Sequence, residues 1–250
     1  MPDAAGALTP YRLSAPGHWS RPTAPITSRK VYAAAHVVPL MKADNVPGAP
    51  ALLDWDATLG FRHELWSWGL GVADAMDTAQ RGMGLDWAAT QELIRRSAGE
   101  ATAVVRSGNP ALAGKSVRDL LSCGVGTDQL DLENVPSGAQ GLEEVTHAYL
   151  EQLAVVEESG AKVILMCSRA LARTATGPDD YLKVYSRMLT EASQPVVLHW
   201  LGPMFDPALQ GYWGSADTAE ATATFLTLIR AHADKVDGVK VSLLDAAHEV

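Results

Sequence analysis

Apolar runs alternate with longer amphipathic stretches along most of the chain. The runs are Val31–Pro39 (VYAAAHVVP), Val72–Asp77 (VADAMD), Leu120–Gly126 (LLSCGVG), Lys162–Cys167 (KVILMC), Val196–Trp200 (VVLHW) and Val236–Leu243 (VDGVKVSL). Short, nearly continuous apolar runs predict strands covered on both faces. Helices are predicted between them. One spans Asp54–Trp68, with Leu59, His63 and Trp66 on one face, and a second is capped by Asp86 and runs to about Val105. Gly141–Ser159 is closed by Gly160, Pro178–Ala192 opens on its proline, and Ala216–Ala233 precedes the last run. Met41–Leu53 reads as a loop and Arg81–Gly84 as a Gly-rich turn. Residues 1–30, rich in Pro, Ala and Ser, read as an irregular surface arm or short hairpin.

Strands that alternate with helices predict βα units and a parallel sheet. The units share a length but no repeated sequence. No G-x-G-x-x-G follows the first strand, which argues against a doubly wound nucleotide fold. The expected fold class is therefore α/β, a TIM (β/α)8-type barrel over residues 31–250. It is incomplete, because six units use up the chain. Two more would need about 60 to 80 residues at the usual size of a βα unit. The expectation is a barrel domain cut short of its last two units.

The chain has 250 residues, 47% of them hydrophobic and 20% charged, which suits a folded domain and excludes a disordered one. Lys plus Arg is 20 and Asp plus Glu 29, giving a formal charge of −9. An acidic chain without a basic block is a poor partner for nucleic acid or an anionic membrane. No apolar run approaches the length of a membrane span, and the N-terminus lacks a signal-peptide pattern. The expected setting is cytoplasmic, with a small-molecule substrate. Cys123 and Cys167 lie in strand-like runs without metal spacing and read as reduced core residues.

In a barrel of this type the chemistry lies at the C-terminal strand ends and in the βα loops. The candidates there are His36, Asp77, Thr78, Gln80, Arg81, Asp128, Ser168, Arg169, His199, Trp200, Lys240 and Ser242. Lys240 stands inside an apolar strand. Pointing inward, it would be desolvated, would hold more neutral amine, and could attack a ketone to form a Schiff base. Pointing outward, it would pair with a helix carboxylate. His199 is either a general acid–base or a core histidine, and His36 poses the same choice. A metal site from His36, His199 and Asp77 is an alternative that no diagnostic spacing supports. Arg81 and Arg169 could each hold a carboxylate or phosphate, or simply cap. The loop LGPMFDPALQGYWGS carries Phe205, Tyr212 and Trp213, which would cover the mouth or form an interface.

Four segments, in order, resemble the dihydrodipicolinate synthase and N-acetylneuraminate lyase superfamily of pyruvate-type class I aldolases. DGVKVSLLD is similar to the sixth-strand segment whose lysine forms the imine, here Lys240. PVVLHWLG is similar to the fifth-strand segment that ends in Tyr-Asn-x-Pro, with His199 in place of the tyrosine. LLSCGVGTDQ is similar to the third-strand Gly-x-Gly turn, and DTAQRGMGL aligns on the Gly-Thr-Thr-Gly-Glu loop. The dihydrodipicolinate-synthase-like branch known as domain of unknown function 993 is the nearest resemblance, and its members are longer than this chain.

The resemblance implies a lyase, an aldolase or dehydratase, acting on a 2-oxo acid or ketosugar. It implies no metal or cofactor, and a homodimer or tetramer. Lys240 would be the nucleophile, and His199 would take over the proton relay. Thr78 keeps the first threonine of the carboxylate loop, whereas Ala79 replaces the second and Gln80–Arg81 replace Gly-Glu. The substrate carboxylate would then be held differently, by Arg81 for example, or be absent, as in an oxidised sugar derivative. Arg169 stands near a fourth-strand tyrosine of the superfamily. Asp77 and His36 complete the expected substrate-binding set. Two rivals remain open at this point: a metal-dependent barrel isomerase or aldolase, and a non-catalytic barrel fragment.

Overall fold

The computed structural model describes residue 2 and residues 4–46, 49–76 and 80–249. Its elements are, in order, β1 (Tyr32–Ala34), α1 (Trp55–Ser67), β2 (Gly71–Asp74), β3 (Gln80–Leu85), α2 (Trp87–Arg106), α3 (Val117–Leu120) and β4 (Leu121–Val125). There follow α4 (Gly138–Glu158), β5 (Lys162–Leu165), α5 (Arg169–Thr174), α6 (Pro178–Glu191), β6 (Val196–Leu201), α7 (Thr218–Ala231), β7 (Val236–Ser242) and α8 (Ala246–Glu249).

The cap read from the sequence at Asp86 operates, and Asp54 does the same for the first helix. Asp54 accepts from the Ala57 amide at 3.0 Å and opens α1. Asp86 accepts from the Ala89 amide at 2.7 Å and opens α2. Each side chain satisfies an amide that the first turn leaves without a partner.

Six strands pair in the order β1-β2-β4-β5-β6-β7, all parallel. Each neighbour in the sheet is thus the next sheet strand along the chain. Right-handed crossovers in sequential order place every helix on one face, which is barrel winding. The packing agrees. Outward residues such as Leu121, Cys123, Val125, Leu198 and Trp200 join the helix layer. The opposite face holds Ala73, Met76, Ile164 and Met166, flanked by Tyr32 and Val197, and no helix residue among them.

This inner face is strongly concave. The Lys162 Nζ of β5 lies 5.9 Å from the ring centroid of Tyr32 on β1. The two strands stand three places apart, about 14 Å in a flat sheet at the usual spacing. Side chains stand nearly perpendicular to a sheet, so only curling brings these tips together. On the other side Lys162 pairs with Asp237, at the start of β7. A register shift between Val196 and Val197 opposite turns Asp237 toward it. The fold is a curled half-barrel, an incomplete TIM-type α/β barrel, with this trio on its floor. Gly124 faces inward where a Cβ would lie 2.5 Å from the Ala75 carbonyl oxygen and 2.7 Å from the Met166 sulfur.

Three expectations need correction. The Gly-rich segment after β2 is the strand β3 rather than a turn, and the Gly84 carbonyl accepts from the Ala51 amide at 2.7 Å. The first strand is only three residues long, because the chain after Ala34 turns to the start of α1: the Val38 amide donates to the Thr58 hydroxyl at 2.9 Å, and its carbonyl accepts from the Asp54 amide at 2.9 Å. Tyr212 and Trp213 are buried core, not mouth or interface residues. The Trp213 ring lies 4.6 Å from Tyr185 and 4.9 Å from Phe225. Among the described residues, no helix is long and apolar enough to cross a membrane.

Candidate active site

The parallel register sets Lys240 directly beside His199 on adjacent strands. Residues paired this way project to the same face, and Val197, two residues before His199, belongs to the inner cluster. The side chains meet near the C-terminal strand ends: Lys240 Nζ is 2.8 Å from His199 Nε2 and 3.3 Å from the Ser242 hydroxyl. His199 is buried, at 1% exposure. Lys240 is exposed, contrary to the expected desolvation. The reason is its place on β7, the edge strand of the described sheet, which has a neighbour on one side only.

Arg81 does not reach out as a free clamp. Its Nε donates to the Ala75 carbonyl at 2.7 Å, Nη2 to the Gly124 carbonyl at 2.6 Å, and Nη1 to Asp128 at 2.8 Å and to Gln152. Four of its donors are therefore engaged with the protein, at a side chain 2% exposed. It ties the ends of β2 and β4 to α4, and it fixes Ala75, a non-glycine residue at φ 50°. Gln152 is buried on α4 and also accepts from the Gly126 amide at 2.7 Å. Burial pushes the Asp128 carboxyl up, but Arg81 and the Gln152 amide outweigh it and hold this group below the usual carboxylate range.

Above these strand ends lies a cavity of about 580 Å³. Its wall includes Arg81 and Asp128, Trp87 from the start of α2, Ser168 and Arg169 from the start of α5, and Leu201. Leu201 is two residues beyond His199 on β6, and the described lining of the cavity includes neither His199 nor Lys240. Ser168 caps α5 by accepting from the Leu171 amide, and its hydroxyl meets that of Thr127 at 2.6 Å. Its own amide donates to the Tyr212 hydroxyl at 3.0 Å. Tyr212 bonds Tyr185 at 2.9 Å, and burial raises both phenols well above their ordinary value, keeping them as neutral hydroxyls. This buried chain holds the end of β5 rigid beneath the cavity.

Arg169 sits at the rim, half exposed, and pairs with Asp206 from the loop after β6. His36 is exposed beyond β1, and its carbonyl accepts from Arg62 at 3.1 Å. Trp200 points outward, edge-on to Phe225 at 5.5 Å, and belongs to the helix layer. Asp77, Thr78 and Ala79 lie outside the described residues. Among the described residues no group of three His, Cys, Asp or Glu side chains is placed to hold a metal ion. Reading the sequence missed Gln152, Trp87 and Asp206. Gln152 left a usable trace, as a polar residue on the apolar face of α4.

A family model described as a protein of unknown function, DUF993, matches residues 1–250. The chain belongs to the DUF993 family. No curated protein matches it. Among solved structures, it is similar to YagE, a prophage protein of the dihydrodipicolinic acid synthase family from E. coli K12, in complex with pyruvate. Identity is 15% and the TM-score 0.47, and the match covers 87% of this chain and 56% of that one. This DUF993 chain therefore spans just over half the length of that protein.

Proposed function

We propose that this DUF993 chain carries the amine and proton relay of a class I, Schiff-base-forming lyase. The observation that carries the reading is the 2.8 Å contact of Lys240 Nζ with His199 Nε2 at the mouth of a parallel barrel. An ammonium is donor-only, so Nε2 accepts from it and is placed to take its proton. The freed amine adds to a ketone carbon, giving a carbinolamine. Protonation of the carbinolamine hydroxyl by the imidazolium expels water and leaves the iminium. That iminium withdraws electrons from the neighbouring carbon, which permits carbon–carbon cleavage or loss of water. The substrate class is a 2-oxo acid or ketosugar, and the sequence resemblance supports the same lysine.

The test is borohydride reduction in the presence of a panel of 2-oxo acids and ketosugars, read by intact mass and peptide mapping. An adduct on Lys240, absent in Lys240→Ala and slowed in His199→Ala, is the expected result. An adduct that persists in Lys240→Ala, or none with any compound, would overturn the reading.

A further inference from the structure

β5 and β6 separate before β6 ends. Their ladder closes with the pairs Ile164–Val197 and Leu165–Leu198. β6 runs on to Leu201 and stays paired with β7, His199 beside Lys240 and Leu201 beside Ser242. On the β5 side a side chain takes over from the ladder. The Cys167 thiol donates to the His199 carbonyl at 3.4 Å, and its sulfur accepts from the Leu201 amide at 3.4 Å. One sulfur thus bridges the two peptide groups that flank Trp200.

Cys167 is itself anchored from behind. The carbonyl before it, on Met166, accepts from the Tyr149 and Tyr185 hydroxyls at 2.6 and 3.2 Å. The amide after it, on Ser168, donates to the Tyr212 hydroxyl at 3.0 Å. Both peptide groups around the thiol are therefore tied to buried phenols. The Met166 amide donates to the Val125 carbonyl at 2.9 Å, which fixes the same corner to β4. A thiol bond is weak by itself. Two of them from a rigid mount define one path for residues 199–201. His199 is buried on that path, with Nε2 2.8 Å from the Lys240 amine. Proton transfer needs that reach, and a misplacement of about 1 Å can cost on the order of 100-fold in rate.

We infer that Cys167 is a positioning residue: its thiol splints β6 across Trp200 and fixes the His199 imidazole against the Lys240 amine. The inference rests on the Schiff-base reading for the reaction that this imidazole serves. Cys167 acts through His199 rather than on the substrate.

The test uses Cys167→Val, which fills similar space without either bond, and Cys167→Ser, which keeps a donor and an acceptor. Cys167→Ala is read in the same way should the valine chain not fold. One readout is borohydride trapping of the 2-oxo acid or ketosugar that the parent chain traps fastest. The other is hydrogen exchange of the Leu201 amide, followed by NMR. Cys167→Val should slow trapping at saturation about tenfold or more and leave the half-saturating concentration within about twofold. Its Leu201 amide should exchange about tenfold faster. Cys167→Ser should bring both back to within about threefold of the parent. In a His199→Ala background, Cys167→Val should slow trapping no further, because the splint then has no imidazole to hold.

Parental trapping in Cys167→Val would overturn the inference while leaving Lys240 as nucleophile. So would equal losses in the valine and serine chains, or a full further loss in the His199→Ala background. Absence of any adduct with the parent chain would overturn the Schiff-base reading instead. The Leu201 amide then decides the splint alone: unchanged exchange in Cys167→Val overturns it, and faster exchange that serine reverses upholds it.

Discussion

Removing the Asp74 carboxylate should cost more than any single contact suggests, because Asp74 neutralises a guanidinium sealed inside the protein. Arg62 on α1 and Asp74 at the end of β2 are both fully buried. Two bonds join them, Nε to Oδ2 at 3.0 Å and Nη2 to Oδ1 at 2.6 Å. The carboxylate also accepts from the Ser97 hydroxyl at 2.6 Å and the Ala75 amide at 3.0 Å. Arg62 Nη1 donates to the Thr58 and His36 carbonyls, so the pair fastens β1, α1, β2 and α2 together. Breaking a buried pair from one side costs about 3–5 kcal/mol, mostly through the charge left behind. Asp74→Ala should therefore destabilise by about 4 kcal/mol. With a urea m-value of about 3 kcal/mol/M, the unfolding midpoint falls by more than about 1 M. Arg62→Met added to Asp74→Ala removes the stranded charge and should recover about 2 kcal/mol or more, a coupling that a double-mutant cycle reads directly. A loss below about 1 kcal/mol for Asp74→Ala, on the scale of an exposed ion pair, would refute this account. So would a double variant as unstable as the sum of the two single changes.

Gly124→Ala places a methyl group against the Ala75 carbonyl and the Met166 sulfur, and should lower stability by about 1–3 kcal/mol, checked by thermal melting. Asp128 has a folded pKa below its ordinary 3.8, so its contribution is full above that value and is lost as pH falls through the folded one. Urea midpoints measured down the acid limb should fall less steeply in Asp128→Asn than in the parent chain. Tyr32 is pushed up to about 12, first by burial and then by Asp119 and Asp237. Its stabilisation is full below pH 10 and is lost as pH rises toward 12; an ultraviolet alkaline titration should show one phenol fewer in the step near pH 12 for Tyr32→Phe, ahead of the more deeply buried tyrosines.

Local signals carried the order of elements in the chain. Asp54, Asp86 and Gly160 mark helix ends through bonds made within a few residues, so they are readable in place. The strand β3 was obscured by Gly82 and Gly84, whose usual meaning is a turn; its pairing with Ala51 lies far back in the chain. The candidate site divides the same way. Strand runs put Lys240 and His199 toward the C-terminal ends of their strands, but their pairing is a matter of register between residues 41 positions apart. Three of the four partners of Arg81 are 43, 47 and 71 residues away, and the fourth is the Ala75 backbone carbonyl. Nothing in its neighbourhood announces that this arginine is already engaged. The exposure of Lys240 depends on what flanks β7, which an apolar run cannot report.

The floor contact between Lys162 and Asp237 also orders events in time. Each strand of the sheet pairs with the sheet strand made before it, so successive βα units can settle as they leave the ribosome. The floor ion pair joins residues 75 positions apart and has no counterpart until β7 has been synthesised. Until then Lys162 and Tyr32 face each other across an open trough. Closure of the trough is a late, non-local step in the assembly of the chain, and it coincides with the arrival of Lys240, three residues after Asp237, beside a His199 already in place.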